Sequence, residues 1–188
     1  MDATQLRSAL IERGALLEGH FRLSSGRHSD RFIQKFRILE EPKLLAPVAA
    51  ALAARFAASR PTIVLSAAIG GIVLGYEVAR ALALRAIFVE KENGVPVLRR
   101  GFAIEPGDRV LVVEDVVTTG GSVREVLGLV AENGAHAVGV GAIVARATPD
   151  FGVPFEALLE MPIDSYDPQN CPHCIAGAPI LDPGSRRR

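Results

Sequence analysis

Apolar residues recur along this chain at two spacings, and their alternation predicts its elements. Near the start, Leu6, Ala9 and Leu10 share a helical face that Thr4 can cap and Gly14 can end. A second helix is predicted over 42–58, its inner stripe made by Leu45, Val48, Ala49, Leu52 and Phe56. From there short unbroken apolar runs alternate with helical periodicity. Strands are predicted at 62–65, 86–89, 110–113 and 137–144, with helices at 72–84 and 122–133 between them. Strands without a polar face are buried on both sides, so the order implies an α/β fold with a parallel sheet flanked by helices. Ligands in such a fold bind at the carboxyl ends of the strands.

Composition narrows the class of protein. A chain of 188 residues with 49% hydrophobic and 22% charged residues is expected to form one domain, 1–188, with no interdomain linker or internal repeat. A formal net charge of zero offers no electrostatic case for nucleic acid, and Arg186-Arg187-Arg188 reads as a solvated tail. No apolar run reaches the roughly 18 to 20 residues of a membrane span, and the N-terminal residues lack the pattern of a signal peptide. A cytoplasmic address with no membrane partner is the expectation.

The chemistry concentrates in Val110-Leu111-Val112-Val113-Glu114-Asp115-Val116-Val117-Thr118-Thr119-Gly120-Gly121-Ser122. A strand here passes through two carboxylates into a hydroxyl- and glycine-rich loop, and a helix follows. Free backbone N–H groups and the positive end of the helix dipole favour a phosphate at that junction. Gly120 and Gly121 allow close approach, and Thr118, Thr119 and Ser122 add donors. Carboxylates beside a phosphate need other work, such as a ribose diol or a magnesium ion carried by a diphosphate. Neither the G-x-x-x-x-G-K-[ST] nor the G-x-G-x-x-G phosphate motif is present at this strand. A second strand-to-helix loop, Ser66-Ala67-Ala68-Ile69-Gly70-Gly71, is small enough for another phosphate group.

A hydrophobic strand, an acidic pair and a Thr/Gly loop resemble the signature of the type I phosphoribosyltransferases. The resemblance implies that fold, with a small hood built from about residues 1–40 and the C-terminal segment. It also implies that residues Glu114, Asp115, Val116, Val117, Thr118, Thr119, Gly120, Gly121 and Ser122 bind 5-phosphoribosyl 1-diphosphate, with Ala68, Ile69 and Gly70 holding its diphosphate. Within the family, Phe21-Arg22-Leu23-Ser24-Ser25-Gly26-Arg27-His28-Ser29, followed by Phe32, resembles the F-x-L-x-S-G-x-x-S phrase of orotate phosphoribosyltransferases. The implied orotate contacts are Thr118, Arg146, Phe32 and Ser25. The implied reaction is Mg2+-dependent transfer of the phosphoribosyl group to N1 of orotate, in a homodimer with shared active sites.

The sequence departs from that family in two places. An Arg-Lys-Glu-x-Lys-x-His-Gly phrase common in its mobile loop is here Glu90-Lys91-Glu92-Asn93-Gly94, which keeps only Lys91 and Glu92. Arg99 and Arg100 are candidates to restore the lost charge, so Lys91, Arg99 and Arg100 form the expected catalytic set. A lysine often present in the diphosphate loop is Gly70. Two other functions remain open: transfer to a different base, and a nonenzymatic regulator that senses phosphoribosyl diphosphate.

Cys171 and Cys174 form one C-x-x-C. It reads as half a zinc site completed by His173 or a second subunit, as a redox pair, or as a turn with idle thiols.

Overall fold

The computed structural model describes residues 1–23 and 25–183; the arginines read as a solvated tail lie outside the described residues. In chain order the elements are α1 (Ala3–Glu12), β1 (Leu16–Arg22), β2 (His28–Ile33), α2 (Phe36–Leu39), α3 (Pro42–Phe56), β3 (Ile63–Ala67), α4 (Gly70–Leu82), β4 (Arg85–Glu92), β5 (Val95–Leu98), β6 (Arg109–Val117), α5 (Gly121–Glu132), β7 (His136–Ala145), β8 (Phe155–Glu160) and α6 (Pro172–Ile175). A six-stranded sheet runs β5-β4-β3-β6-β7-β8, parallel except for β5, and β1 and β2 form a separate antiparallel hairpin.

The period-2 rule explains the two-sided core. On β3 and β6, Val64, Leu111 and Val113 face a cluster shared with α1, α2, α3 and α4. Ile63, Leu65, Val110 and Val112, pointing the other way, join Val123, Val126 and Val130 of α5. On β7 the approach of α3 is so close that a Cβ on Gly139 would overlap the Phe56 ring.

Several local expectations are corrected. Asp2, not Thr4, caps α1, because its side chain accepts from the Gln5 backbone N–H while the Gln5 side chain accepts from Asp2, a reciprocal box. Strand β6 continues to Val117 rather than stopping at 113, so the acidic pair lies within the strand. The basic loop at 90–100 is largely a hairpin. Glu90 pairs with Val97 and Lys91 with Pro96, across an Asn93-Gly94 turn in which both residues have positive φ.

The hood contains the β1–β2 hairpin and the segment from Tyr166 to Leu181. His28 and Tyr166 exchange backbone hydrogen bonds of 2.9 and 2.8 Å, and Leu181 bonds His20 and Arg22 at 2.7 and 2.9 Å. These pairings lay residues 166–181 along the hairpin.

Gly139→Ala is expected to destabilise the protein by about 1–3 kcal/mol, because the added methyl must displace Phe56 from a filled core. Denaturant unfolding checks this, and an unchanged midpoint would show that α3 and β7 are less tightly apposed than described.

Candidate active site

The carboxyl ends of β3, β6 and β7 converge, and the candidate residues stand on the segments that leave them. Asp115 is buried with a side-chain exposure of 2%, which requires compensation for its charge. Its Oδ1 accepts from Lys35 Nζ at 3.0 Å and from the Val116 backbone N–H at 2.7 Å. Its Oδ2 lies 2.8 Å from the same ammonium, but outside hydrogen-bonding geometry, and is a buried acceptor without a hydrogen-bond donor among the described residues. That oxygen is suited to a hydroxyl donor such as a sugar diol.

Glu114 accepts the Asp115 backbone N–H at 3.0 Å and lines a cavity of about 170 Å³. Although part of the residue is open to this cavity, burial of its carboxyl and then the charge of Asp115 push its pKa up to about 8. Glu114 is therefore biased toward its protonated form, while Lys35 lies against the Asp115 carboxylate. Lys35 is a functional candidate that sequence reasoning missed. It sits 80 positions from Asp115, and no periodicity connects them. Glycine at 70 makes this contact possible. A Cβ there would collide with Asp115 Oδ2 and stand 2.9 Å from Lys35 Nζ, so the ammonium occupies space next to the position where a lysine was expected.

Between β6 and α5, Thr118, Thr119, Gly121 and Ser122 are exposed, while Gly120 is buried with φ of 78°. No side chain caps α5, leaving its first N–H groups available to an anion. Arg124 braces the loop by donating to the Thr119 carbonyl at 2.9 Å, with its guanidinium 5.4 Å from the Phe151 ring centroid. The cavity joins Lys35, Ala68, Ile69 and Gly70 to Glu114, Ser122 and Lys91, so the two loops and the hairpin share one space.

The three expected catalytic cations differ in placement. Lys91 lines the cavity and is paired with Glu125 of α5. Arg100 donates to Glu90 at 2.7 and 3.3 Å, and Arg99 stands 3.7 Å from Glu92. All three pairs are largely exposed and correspondingly weak, so an incoming polyanion can displace the carboxylates. Magnesium takes oxygen ligands. With Asp115 occupied by Lys35 and Glu114 protonated, the donor set fits an ion that arrives on a diphosphate better than a resident one.

Arg146 leaves the end of β7, where its backbone N–H donates to the Val117 carbonyl at 2.8 Å. This puts it beside Thr118. One guanidinium nitrogen donates to the Ile163 carbonyl at 3.2 Å, while Nε is buried without a partner among the described residues. Burial pulls its pKa down and nearby Asp30 of β2 opposes that shift. A guanidinium stays charged regardless, so a desolvated donor is held ready for an anion.

Other sequence candidates are not gathered here. Phe32 packs in the hood with its ring centroid 5.9 Å from that of Phe21, and Ser25 lies exposed in the turn of the β1–β2 hairpin. Cys171 and Cys174 lie in the hood beside His20 and His28. His173, the expected third partner, instead stacks on His20 with centroids 5.4 Å apart.

Comparisons with known proteins bear on the family and the fold. Residues 36–151 match the phosphoribosyl transferase domain model, a span from α2 to the segment after β7. Over 189 aligned residues the chain is 53% identical to an orotate phosphoribosyltransferase of Pelotomaculum thermopropionicum, with all of both chains covered. It superposes on the crystal structure of an orotate phosphoribosyltransferase from Aeropyrum pernix with a TM-score of 0.71 and 25% identity, covering 83% of this chain and 93% of that one. An adenine phosphoribosyltransferase from Rhodothermus marinus aligns with a TM-score of 0.67 and 26% identity, covering 85% of this chain and 100% of that one. The described helices include none long and apolar enough to cross a membrane.

The raised Glu114 pKa sets a pH dependence. Between its ordinary 4.5 and about 8 the carboxyl is ionised in the unfolded chain and favoured in its protonated form in the folded one, so the contribution of Glu114 to stability falls as pH rises through this window. Melting temperature of the ligand-free protein is expected to decline from pH 5 to pH 8, and Glu114→Gln to flatten the decline. Equal slopes for the two proteins would refute this account of Glu114.

Proposed function

We infer the chemistry from the premise that the chain belongs to the phosphoribosyltransferase family and, within it, to the orotate phosphoribosyltransferases. It transfers the 5-phosphoribosyl group of 5-phosphoribosyl 1-diphosphate to N1 of orotate, giving orotidine 5′-phosphate and diphosphate in pyrimidine biosynthesis. The observation that best supports the base assignment is Arg146, a half-buried guanidinium beside Thr118 whose Nε is desolvated and without a partner among the described residues. A flat anionic pyrimidine supplies the acceptor that this donor lacks. Adenine has no carboxylate to offer it, so the shared fold of adenine enzymes does not transfer their base preference.

In this reading the 5′-phosphate rests on Thr118, Thr119, Gly120, Gly121 and Ser122 at the start of α5. Asp115 Oδ2 accepts a ribose hydroxyl, and Ala68, Ile69 and Gly70 run beside the diphosphate. Lys35 supplies the ammonium that Gly70 lacks. Glu114 is the carboxyl that would face a magnesium ion (Mg2+) carried by the diphosphate, and such an ion, when bound, would supply charge neutralisation on the leaving group. Lys91, exchanging Glu125 for the diphosphate, adds positive charge where negative charge develops as the glycosidic bond lengthens. Arg99 and Arg100 reinforce that field from the turn that follows β5. Thr118 and Arg146 form the base side; Phe32 and Ser25, held in the hood, do not reach it in the ligand-free structure. No covalent enzyme intermediate is needed: positioning and electrostatics carry the rate.

A homodimer with shared active sites belongs to the same proposal. Ile69, Val73 and Tyr76 recur at helical spacing along α4 and remain 76%, 46% and 62% exposed, an apolar stripe next to the diphosphate loop. We place the enzyme in the cytoplasm.

Loss of orotate absorbance on adding phosphoribosyl diphosphate and magnesium tests the assignment, with uracil and adenine run in parallel. Only orotate should be consumed; turnover of adenine or uracil with orotate inert would overturn the base assignment. Arg146→Ala should raise the orotate KM about 10- to 100-fold, the loss of one or two charge-assisted hydrogen bonds. Lys91→Ala should lower kcat by roughly 100-fold with a smaller change in orotate KM. Sedimentation of the wild type should give a dimer, and Tyr76→Lys should shift it toward monomer; an unshifted dimer would move the interface off α4.

A further inference from the structure

We propose that His20, His28, Cys171 and Cys174 form a tetrahedral zinc site that fastens the C-terminal segment to the hood hairpin. His20 belongs to β1, His28 opens β2, and the cysteines flank the first turn of α6, so the four come from three separate elements. One ligand atom from each lies within 4.8 Å of all the others.

The distances match a single coordinated ion. With Zn–S of about 2.3 Å and Zn–N of about 2.05 Å, tetrahedral geometry requires N···N near 3.3 Å and N···S near 3.6 Å. His20 Nε2 and His28 Nδ1 are 3.1 Å apart; Cys171 Sγ and Cys174 Sγ lie 3.5 and 3.6 Å from His20 Nε2, and Cys174 Sγ lies 3.2 Å from His28 Nδ1. The cysteines are not joined in a disulfide.

Hydrogen bonding among the four groups does not account for this convergence. His20 Nδ1 lies 3.0 Å from the Ala178 carbonyl, which can only accept, so this nitrogen carries the proton. In the neutral ring Nε2 then has one lone pair, and three groups crowd around it. A cation uses a lone pair from each of the four. The Ala178 contact is the outer-shell bond that orients a ligating histidine. Two thiolates balance the ion's double charge, which a site with His20, His28 and Cys171 all buried requires. Sulfur and imidazole donors in this geometry select zinc over magnesium. Cys174, the exposed member, marks the entry side.

The site stands where the C-terminal segment pairs with the hairpin. His28 exchanges backbone hydrogen bonds with Tyr166, and His20 accepts from Leu181. Few buried apolar side chains hold residues 166–181, so the metal supplies cohesion that the core does not.

The enzyme, purified without chelator under reducing conditions, should carry about one zinc per chain by elemental analysis. Cys174→Ser and His28→Ala should each reduce that content at least tenfold. A zinc-selective chelator in excess magnesium should lower the melting temperature by roughly 5 °C or more, and added zinc should restore it. Cobalt reconstitution should produce thiolate charge-transfer absorption that weakens in Cys174→Ser. Absence of both stoichiometric zinc and a cobalt spectrum would overturn the proposal, as would full zinc content in both variants or a Cys171–Cys174 disulfide in the isolated protein. These readouts need no substrate, so they are independent of the orotate assignment.

Discussion

Two adjacent carboxyl groups at the end of a central strand repel each other, and a strand covered on both faces gives them little water to share. The molecule answers this by pairing Asp115 with Lys35 and by holding the Glu114 pKa above its ordinary value. That solution places constraints on other elements. Lys35 must be delivered by the turn after the hood hairpin, α4 must begin without a side chain at Gly70, and the hood must sit close enough to hold both. The charge problem of the acidic pair thus links the sheet, the loop that opens α4 and the hood.

A site for a polyanionic sugar phosphate would be expected to present bare positive charge, yet here its cations are paired with carboxylates. Lys91 with Glu125 and Arg100 with Glu90 are exposed pairs, cheap to separate. Holding the cations in this way keeps the ligand-free surface near neutrality, consistent with the zero net charge of the chain. Arg146 is different. Its Nε is buried, and no carboxylate among the described residues bonds to it.

The hood follows other physics than the sheet. The sheet and its helices share two extensive apolar clusters, whereas the hairpin and the last described residues meet largely through backbone pairing and the His/Cys cluster. A segment with little core of its own gains from a cross-link that draws on its polar side chains.

The alternation of short apolar runs with helical stripes was enough to identify the parallel sheet, because burial on both faces imposes a pattern that local residues carry themselves. The strand-loop-helix order of the signature was equally legible, since it is carried by consecutive residues. The β1–β2 hairpin was missed because its strands include His20, Ser29 and Asp30 and lack clean alternation. Asn93-Gly94 was a readable turn signal that went unused. What only the tertiary structure decided were contacts between distant segments: Lys35 with Asp115, Arg146 beside Val117, and His20 and His28 with a cysteine pair about 150 positions away. The physical reason is that hydrophobic periodicity records which side of an element is buried, while partner choice among polar groups depends on where the folded backbone brings their atoms within a few ångströms.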